Sequence, residues 1–287
     1  MAGMTEQPTG RIERVAPLVR RLLAPNPSAF TYTGTQVFIV GEGEVAVIDP
    51  GPDDPAHVQA LLAALEGERI AAILCTHTHR DHSPATRPLA AATGAPIVGC
   101  APLAVDAEGV ASDESFDREY RPDRVLGDDE SVSGSGWTLE AVATPGHTSN
   151  HLCFALPETG ALFSGDHVMG WSTSIVATPD GDMGAYMRSL DKLLTRDDRV
   201  YYPTHGPEIA DPHAHVRRLI AHRQAREAQV LARLDAGSAR VEAMVPAMYQ
   251  DVDPRLHPAA ALSVLAHLTD LEQRGEAARD GDLWSRA

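Results

Sequence analysis

A continuous apolar run, "RIAAILC" at residues 69–75, ends in "THTHRDH", which sets three histidines and an aspartate within six residues: His77, His79, Asp81 and His82. The run shows no polar alternation, so it reads as a strand covered on both faces. Within a strand, successive side chains would point to opposite faces, whereas a loop leaving its end can turn all four groups toward one point. Imidazole nitrogens with a carboxylate suit zinc, and also iron or manganese. Histidine makes up only 13 of the 287 residues, so a coincidental polar loop is a poor account of this spacing.

Three later strand-like runs end in the same way. "ATPGH" closes on His147, "LFSGD" on Asp166, and "VYYPTHG" carries His205. Glycines beside these residues allow the backbone to turn tightly and approach an ion. His151 lies four positions after His147, and His167 directly follows Asp166. Each reads either as a residue packed beside the site or as one that orients a ligand or protonates a leaving group.

Between these runs the chain alternates strand and helix patterns. "TQVFIV" (35–40) and "EVAVIDP" (44–50) flank Gly41-Glu42-Gly43 and predict a hairpin. "PAHVQALLAALEG" (55–67) starts with proline and stops at glycine, as a helix does. A short helix follows over 83–94, with strands over 95–100, 137–146, 151–157, 161–166 and 199–206, and an amphipathic helix over 185–196. Residues 101–136 lack a clear pattern and read as loop and edge strand. From residue 211 the texture becomes helical: a long helix to Gly237, a short one interrupted at Pro246, and a third with Ala261, Val264, Leu265, Leu268 and Leu271 on one face. The domains expected are therefore 1–210 and 211–287.

The net charge of −16 gives no global pull toward nucleic acid or an anionic membrane surface. Six arginines at 217, 218, 223, 226, 233 and 240 form a local exception, read either as an anion handle or as a solvated helix face. The loops at 26–34, with Phe30 and Tyr32, and at 170–184 are candidates for substrate contact. Three cysteines outside any CxxC motif, the lack of a membrane-length apolar run and a polar start that does not read as a signal peptide predict a cytoplasmic protein.

Taken together, H-x-H-x-D-H (77–82), T-P-G-H-T (144–148), S-G-D (164–166) and T-H-G (204–206) resemble the metallo-β-lactamase superfamily over roughly residues 15–210. The resemblance implies an α/β chain folded as an αβ/βα four-layer sandwich, two packed mixed sheets with helices outside. It implies a dinuclear centre: His77, His79 and His147 on one divalent ion, Asp81, His82 and His205 on the other, and Asp166 bridging. The ions implied are zinc, with iron or manganese as alternatives. A bridging hydroxide is then the nucleophile, and Asp81 and His151 are the catalytic candidates among the protein groups. An aspartate at 166 stands where true β-lactamases of this fold carry cysteine or serine. "NPSAFTYTGTQVFIVG" (26–41), "HRQAREAQVLARL" (222–234) and "AMYQDVDPRLHPAAALSVLAHLTDLEQRG" (247–275) are similar to the beta-lactamase-like protein 2 family, which ends in a small winged-helix-like domain. That family includes an animal mitochondrial endoribonuclease and fungal polyketide thioesterases. The expected function is hydrolysis of a small ester or thioester. The alternatives are a single-stranded RNA endonuclease, which the charge disfavours, and a non-enzymatic metal-stabilised regulator that binds nucleic acid.

Overall fold

The computed structural model describes residues 9–103, 115–237 and 239–287. Part of the segment expected to be loop and edge strand (104–114) and most of the polar start (1–8) lie outside the described residues. The chain divides into two compact units. The first holds the described parts of Met1–Thr144, Asn150–Ser172 and Asp197–Pro212; the second holds Pro145–Ser149, Thr173–Arg196 and the described parts of His213–Ala287.

The first unit is built on two mixed sheets. One runs in the order β1 (Ile12–Ala16), β2 (Val19–Leu23), β3 (Gln36–Glu42), β4 (Glu44–Ile48), β5 (Arg69–Cys75), β6 (Ile97–Gly99), β7 (Arg124–Val125). Its first four strands are antiparallel neighbours, and β4 to β7 are parallel ones. The other sheet comprises β8 (Ser131–Gly134), β9 (Trp137–Ala143), β10 (Leu152–Leu156), β11 (Ala161–Gly165) and β12 (Val200–Pro203), with only β11 and β12 parallel. The β1–β2 hairpin was not expected from the sequence; it turns at Leu18, whose φ is 61°.

The sheets pack face to face. Phe38 and Leu74 from the first meet Phe154, Phe163 and Tyr202 from the second, and the Phe38 and Phe163 ring centres lie 5.1 Å apart. On the other face of the first sheet, helices α1 (Pro55–Ala64) and α2 (Thr86–Thr93) bury Leu61 and Leu89 against Val37, Val47 and Ile73. Each such side chain contributes about 1.5–3 kcal/mol of transfer free energy. β5 is covered on both sides, which explains its unbroken apolar sequence. A register shift between β4 and β5 leaves Ala71 without a partner, so Ile70 and Ile73 face the helices while Ala72 and Leu74 face the second sheet. The Asp54 side chain caps α1 by accepting from Ala56 N and His57 N, and α2 stops at Gly94, whose φ of 72° suits a residue without Cβ.

The second unit contains α3 (Met183–Leu193), α4 (Pro212–Asp235), α5 (Val241–Met248), α6 (His257–Gln273) and a hairpin of β13 (Ala277–Asp280) with β14 (Leu283–Arg286). Val230, Leu234, Met244, Val264, Leu268, Leu271 and Trp284 form its core. Pro246 lies inside α5 and does not end it. The hairpin stands in a stretch to which the residue pattern assigned no strand; its turn uses Gly281 at a φ of 60°. Segments 145–149 and 173–196 join this unit although they precede residue 211 in the chain. Among the described residues, no helix is long and apolar enough to cross a membrane.

Candidate functional site

Parallel neighbours end side by side, and this gathers the polar groups of the first unit. β4 ends at Asp49 beside the end of β5 at Thr76 and His77, and β11 and β12 end together at Asp166 and Thr204-His205. Asp49 is the hub. Its Oδ1 accepts from Thr76 N at 2.8 Å. Its Oδ2 accepts from Thr76 Oγ1 at 2.7 Å and Thr204 Oγ1 at 3.1 Å, and lies 3.0 Å from His82 Nδ1. A carboxylate accepts only, so the His82 proton sits on Nδ1 and Nε2 faces the other way. Asp49 adopts a φ of 48°, rare for a residue with a side chain, and is wholly buried. Sequence reasoning missed it: "DPG" after a strand looks like a turn.

His82 Nε2 lies 3.5 Å from both Asp81 Oδ2 and Asp166 Oδ2. His205 Nε2 lies 3.1 Å from Asp81 Oδ2 and 3.4 Å from Asp166 Oδ1, while its Nδ1 donates to Gly34 O at 3.2 Å. His77, His82 and Asp166 offer donor atoms within 4.8 Å of one another, and so do Asp81, His82 and His205. His77 Nε2 stands 2.9 Å from His79 Nδ1. The Nε2 atoms of His82 and His205 are buried and both face these carboxylates. Lone pairs of nitrogen and oxygen pointing into one small space are the donor set a divalent cation requires, so the residues fit such an ion.

The electrostatics match this picture. Burial pushes the Asp81 carboxyl up, but the His82 charge and a hydrogen bond from His205 outweigh it and hold the group well below the usual carboxylate range. Burial pushes the His82 imidazole down, and Asp81, Asp166 and Asp49 overcome that and raise it well above the ordinary histidine value. His205 is raised in the same way, against its burial, by Asp166 and Asp81.

The supports are local. β11 has a register shift at Ser164, whose Oγ donates to Val168 O at 2.7 Å, and Gly165 follows at a φ of 52°. A Cβ on Gly165 would lie 2.6 Å from His151 Nε2, so only glycine lets Asp166 turn inward here. His151 Nε2 accepts from Asp166 N at 3.2 Å, and its Nδ1 is 2.8 Å from Thr144 Oγ1. His79 rests against the Phe116 ring, with centres 4.5 Å apart. Tyr32 stacks on Trp171 with centres 5.0 Å apart, and a Cβ on Gly206 would lie 2.9 Å from Trp171, so both expected substrate loops meet next to His205. Phe30 is 62% exposed and Trp171 37%.

His147, the remaining expected ligand, belongs to the second unit, where its Nδ1 donates to Ile175 O at 2.5 Å. The arginines of α4 are not a uniform solvated face. Arg223 is buried and Arg226 donates to Met248 O and stacks on Tyr249; Arg217, Arg218 and Arg233 are exposed, Arg233 donating to Ala247 O. Cys75, Cys100 and Cys153 are all buried and none is in a disulfide.

Comparison with known proteins gives this arrangement its family. The sequence profile of the metallo-beta-lactamase superfamily matches residues 31–205, and that of the beta-lactamase associated winged helix domain matches residues 241–284. The chain is 32% identical over 275 residues to the beta-lactamase-like protein 2 homolog of Drosophila melanogaster, covering 92% of this chain and 91% of that one. It is 34% identical over 234 residues to the atrochrysone carboxyl ACP thioesterase AgnL7 of Paecilomyces divaricatus, covering 79% and 68%. A metallo-beta-lactamase family protein of Thermus thermophilus superposes with a TM-score of 0.77 at 25% identity, over 96% of this chain and all of that one. The two mixed sheets, the ligand-bearing strand ends and the terminal hairpin of the winged helix thus have one explanation: the chain is a hydrolase of the metallo-β-lactamase superfamily with an associated winged-helix domain.

Proposed function

We propose that the protein is a dinuclear zinc hydrolase of a small thioester or ester. His77 and His79, joined by His147 through its place in the T-P-G-H-T motif, would hold one ion; Asp81, His82 and His205 would hold the second, with Asp166 available to both. The observation that carries this reading is the convergence of His82 Nε2 and His205 Nε2 on the carboxylates of Asp81 and Asp166. Ions bound there would acidify water and polarise the scissile carbonyl.

The residues of the chain do the rest. Asp49 fixes the tautomer of His82, and Gly34 O fixes that of His205. Asp81 orients the attacking water and takes its proton. His151, with one nitrogen accepting from Asp166 N and the other against Thr144 Oγ1, acts by positioning Asp166. Trp171 offers exposed aromatic surface beside His205 for the acyl part of the substrate. The thioesterase named among the relatives supports a thioester over a phosphodiester. So does the inward turn of Arg223 and Arg226, which removes two of the six arginines a nucleic-acid-binding face would need. Three thiols outside any disulfide support a reducing, cytoplasmic setting.

The test is a hydrolysis panel of acyl-coenzyme A, an acyl carrier-protein thioester, S-lactoylglutathione, a lactam, a phosphodiester dye and single-stranded RNA, each with and without chelator. Chelator-sensitive turnover of a thioester is expected. Cleavage of RNA alone would replace the thioester reading with the nuclease one.

A further inference from the structure

The segment that carries His147 is held from several directions within the second unit. Pro145 O accepts from Ser189 Oγ at 2.7 Å, Gly146 O from Asp182 N at 3.0 Å, and Asp180 Oδ2 from Ser149 N at 3.0 Å. Gly146 presses on α3: a Cβ there would lie 2.3 Å from Tyr186 Cα. The His147 ring itself has its Nδ1 against a backbone carbonyl, Ile175 O. A carbonyl only accepts, so Nδ1 carries the proton and, in the neutral ring, Nε2 carries the lone pair. The position of the Ile175 carbonyl therefore sets both the tautomer and the tilt of His147.

One side chain reaches that carbonyl's neighbourhood from the C-terminal helices. Arg223, in α4, is 2% exposed. Its Nη2 donates to Ser174 O, one residue before Ile175, and its Nη1 donates to Ser263 Oγ in α6 at 3.1 Å. Its guanidinium lies 5.3 Å from the centre of the Tyr186 ring, the residue that backs Gly146. These acceptors are neutral. A guanidinium buried on neutral acceptors is a costly device, and among the described residues no ion pair offsets that cost. It contacts both supports of the His147 segment, the 174–175 backbone and Tyr186.

We propose that Arg223 is a positioning residue for His147, holding the Ser174–Ile175 backbone so that the Ile175 carbonyl fixes the His147 ring for coordination. The inference rests on the reading of His147 as a metal ligand.

The test uses the full chain as Arg223→Ala, Arg223→Gln and Arg226→Ala, dialysed against defined free zinc. Arg226 is the control: it sits on the same helix but contacts Met248 O and Tyr249 instead. Ions per chain are counted by elemental analysis, and the visible spectrum of the cobalt-loaded protein reports ligand geometry. Arg223→Ala is expected to weaken one of two ion affinities by about tenfold or more and to alter the cobalt spectrum. Arg226→Ala should change neither, even if it lowers the melting temperature. Arg223→Gln, which keeps an amide donor, supplies the reading if the alanine variant does not fold, and should show the same loss in weaker form. Two tight ions and an unaltered spectrum in the folded Arg223 variants would overturn the proposal, as would equal losses in Arg226→Ala. Absence of ions from the wild-type protein would instead sink the metal reading itself.

Discussion

His82 and His147 are oriented by different kinds of acceptor. His82 leans on the carboxylate of Asp49, which also binds Thr76 and Thr204. His147 leans on a neutral backbone carbonyl whose own placement depends on a loop. A carboxylate makes the ring more basic and a stronger donor, and a rigid hub shared by two strand ends resists displacement. A carbonyl on a loop gives direction without charge. The lesson is that two histidines of one chain can be oriented in two ways, one by a stiff, charged anchor and the other by a neutral carbonyl on a loop.

Removing a ligand should have the largest effect. His79→Ala or Asp166→Ala is expected to lower kcat by at least about a thousandfold, the equivalent of several kcal/mol of transition-state stabilisation. Circular dichroism should show an intact fold; a folded variant with wild-type turnover would end the comparison, because neither anchor would matter. Asp49→Asn then isolates the charged anchor. It keeps the size of the hub but loses its charge, and ion affinity should fall by about 10- to 100-fold. A loss smaller than that of Arg223→Ala would reverse the ranking of the two anchors.

A pH titration probes the stability of the second unit separately. Burial, reinforced by the charges of Arg223, His222, Arg274 and Arg226, pushes His267 down to about 3. The unfolded chain takes up this proton near 6.5, whereas the folded chain resists it until about pH 3. Stability should therefore fall as pH drops through that window, by up to a few kcal/mol. Melting temperatures of wild type and His267→Gln between about pH 7 and 4 would check this; the variant should show the shallower slope, and equal slopes would remove His267 from the account. The smallest effect is expected at the rim. Trp171→Ala should raise KM several-fold for long or aromatic acyl thioesters, corresponding to about 1 kcal/mol, and leave an acetyl thioester almost unchanged. A uniform change across acyl groups would argue against an acyl-binding rim.

The clustered histidines and aspartates were easy to pick out because each follows a strand as a compact motif whose side chains carry their own chemistry. His77 to His82 needed no knowledge of the fold. Asp49 and Arg223 were not legible in the same way. Their importance comes from partners 27 to 155 residues away for Asp49 and 40 to 49 residues away for Arg223. In a linear reading, Asp49 is a turn residue and Arg223 one of six arginines. The alternation of β1 and β2 is short and carries Arg20 and Arg21, which form ion pairs with Glu68 and Glu13 and so obscure the strand signal. The β13–β14 hairpin is similarly masked by charge: Arg279 covers the Trp284 ring at 5.3 Å.

All three thiols are sealed inside the fold, and Cys75 ends the very strand from which the His77 loop departs. A thiol-alkylating reagent can reach them only when the surrounding structure opens. The rate of labelling is therefore a clock for the breathing of the catalytic end of the sandwich, readable by mass without any introduced probe.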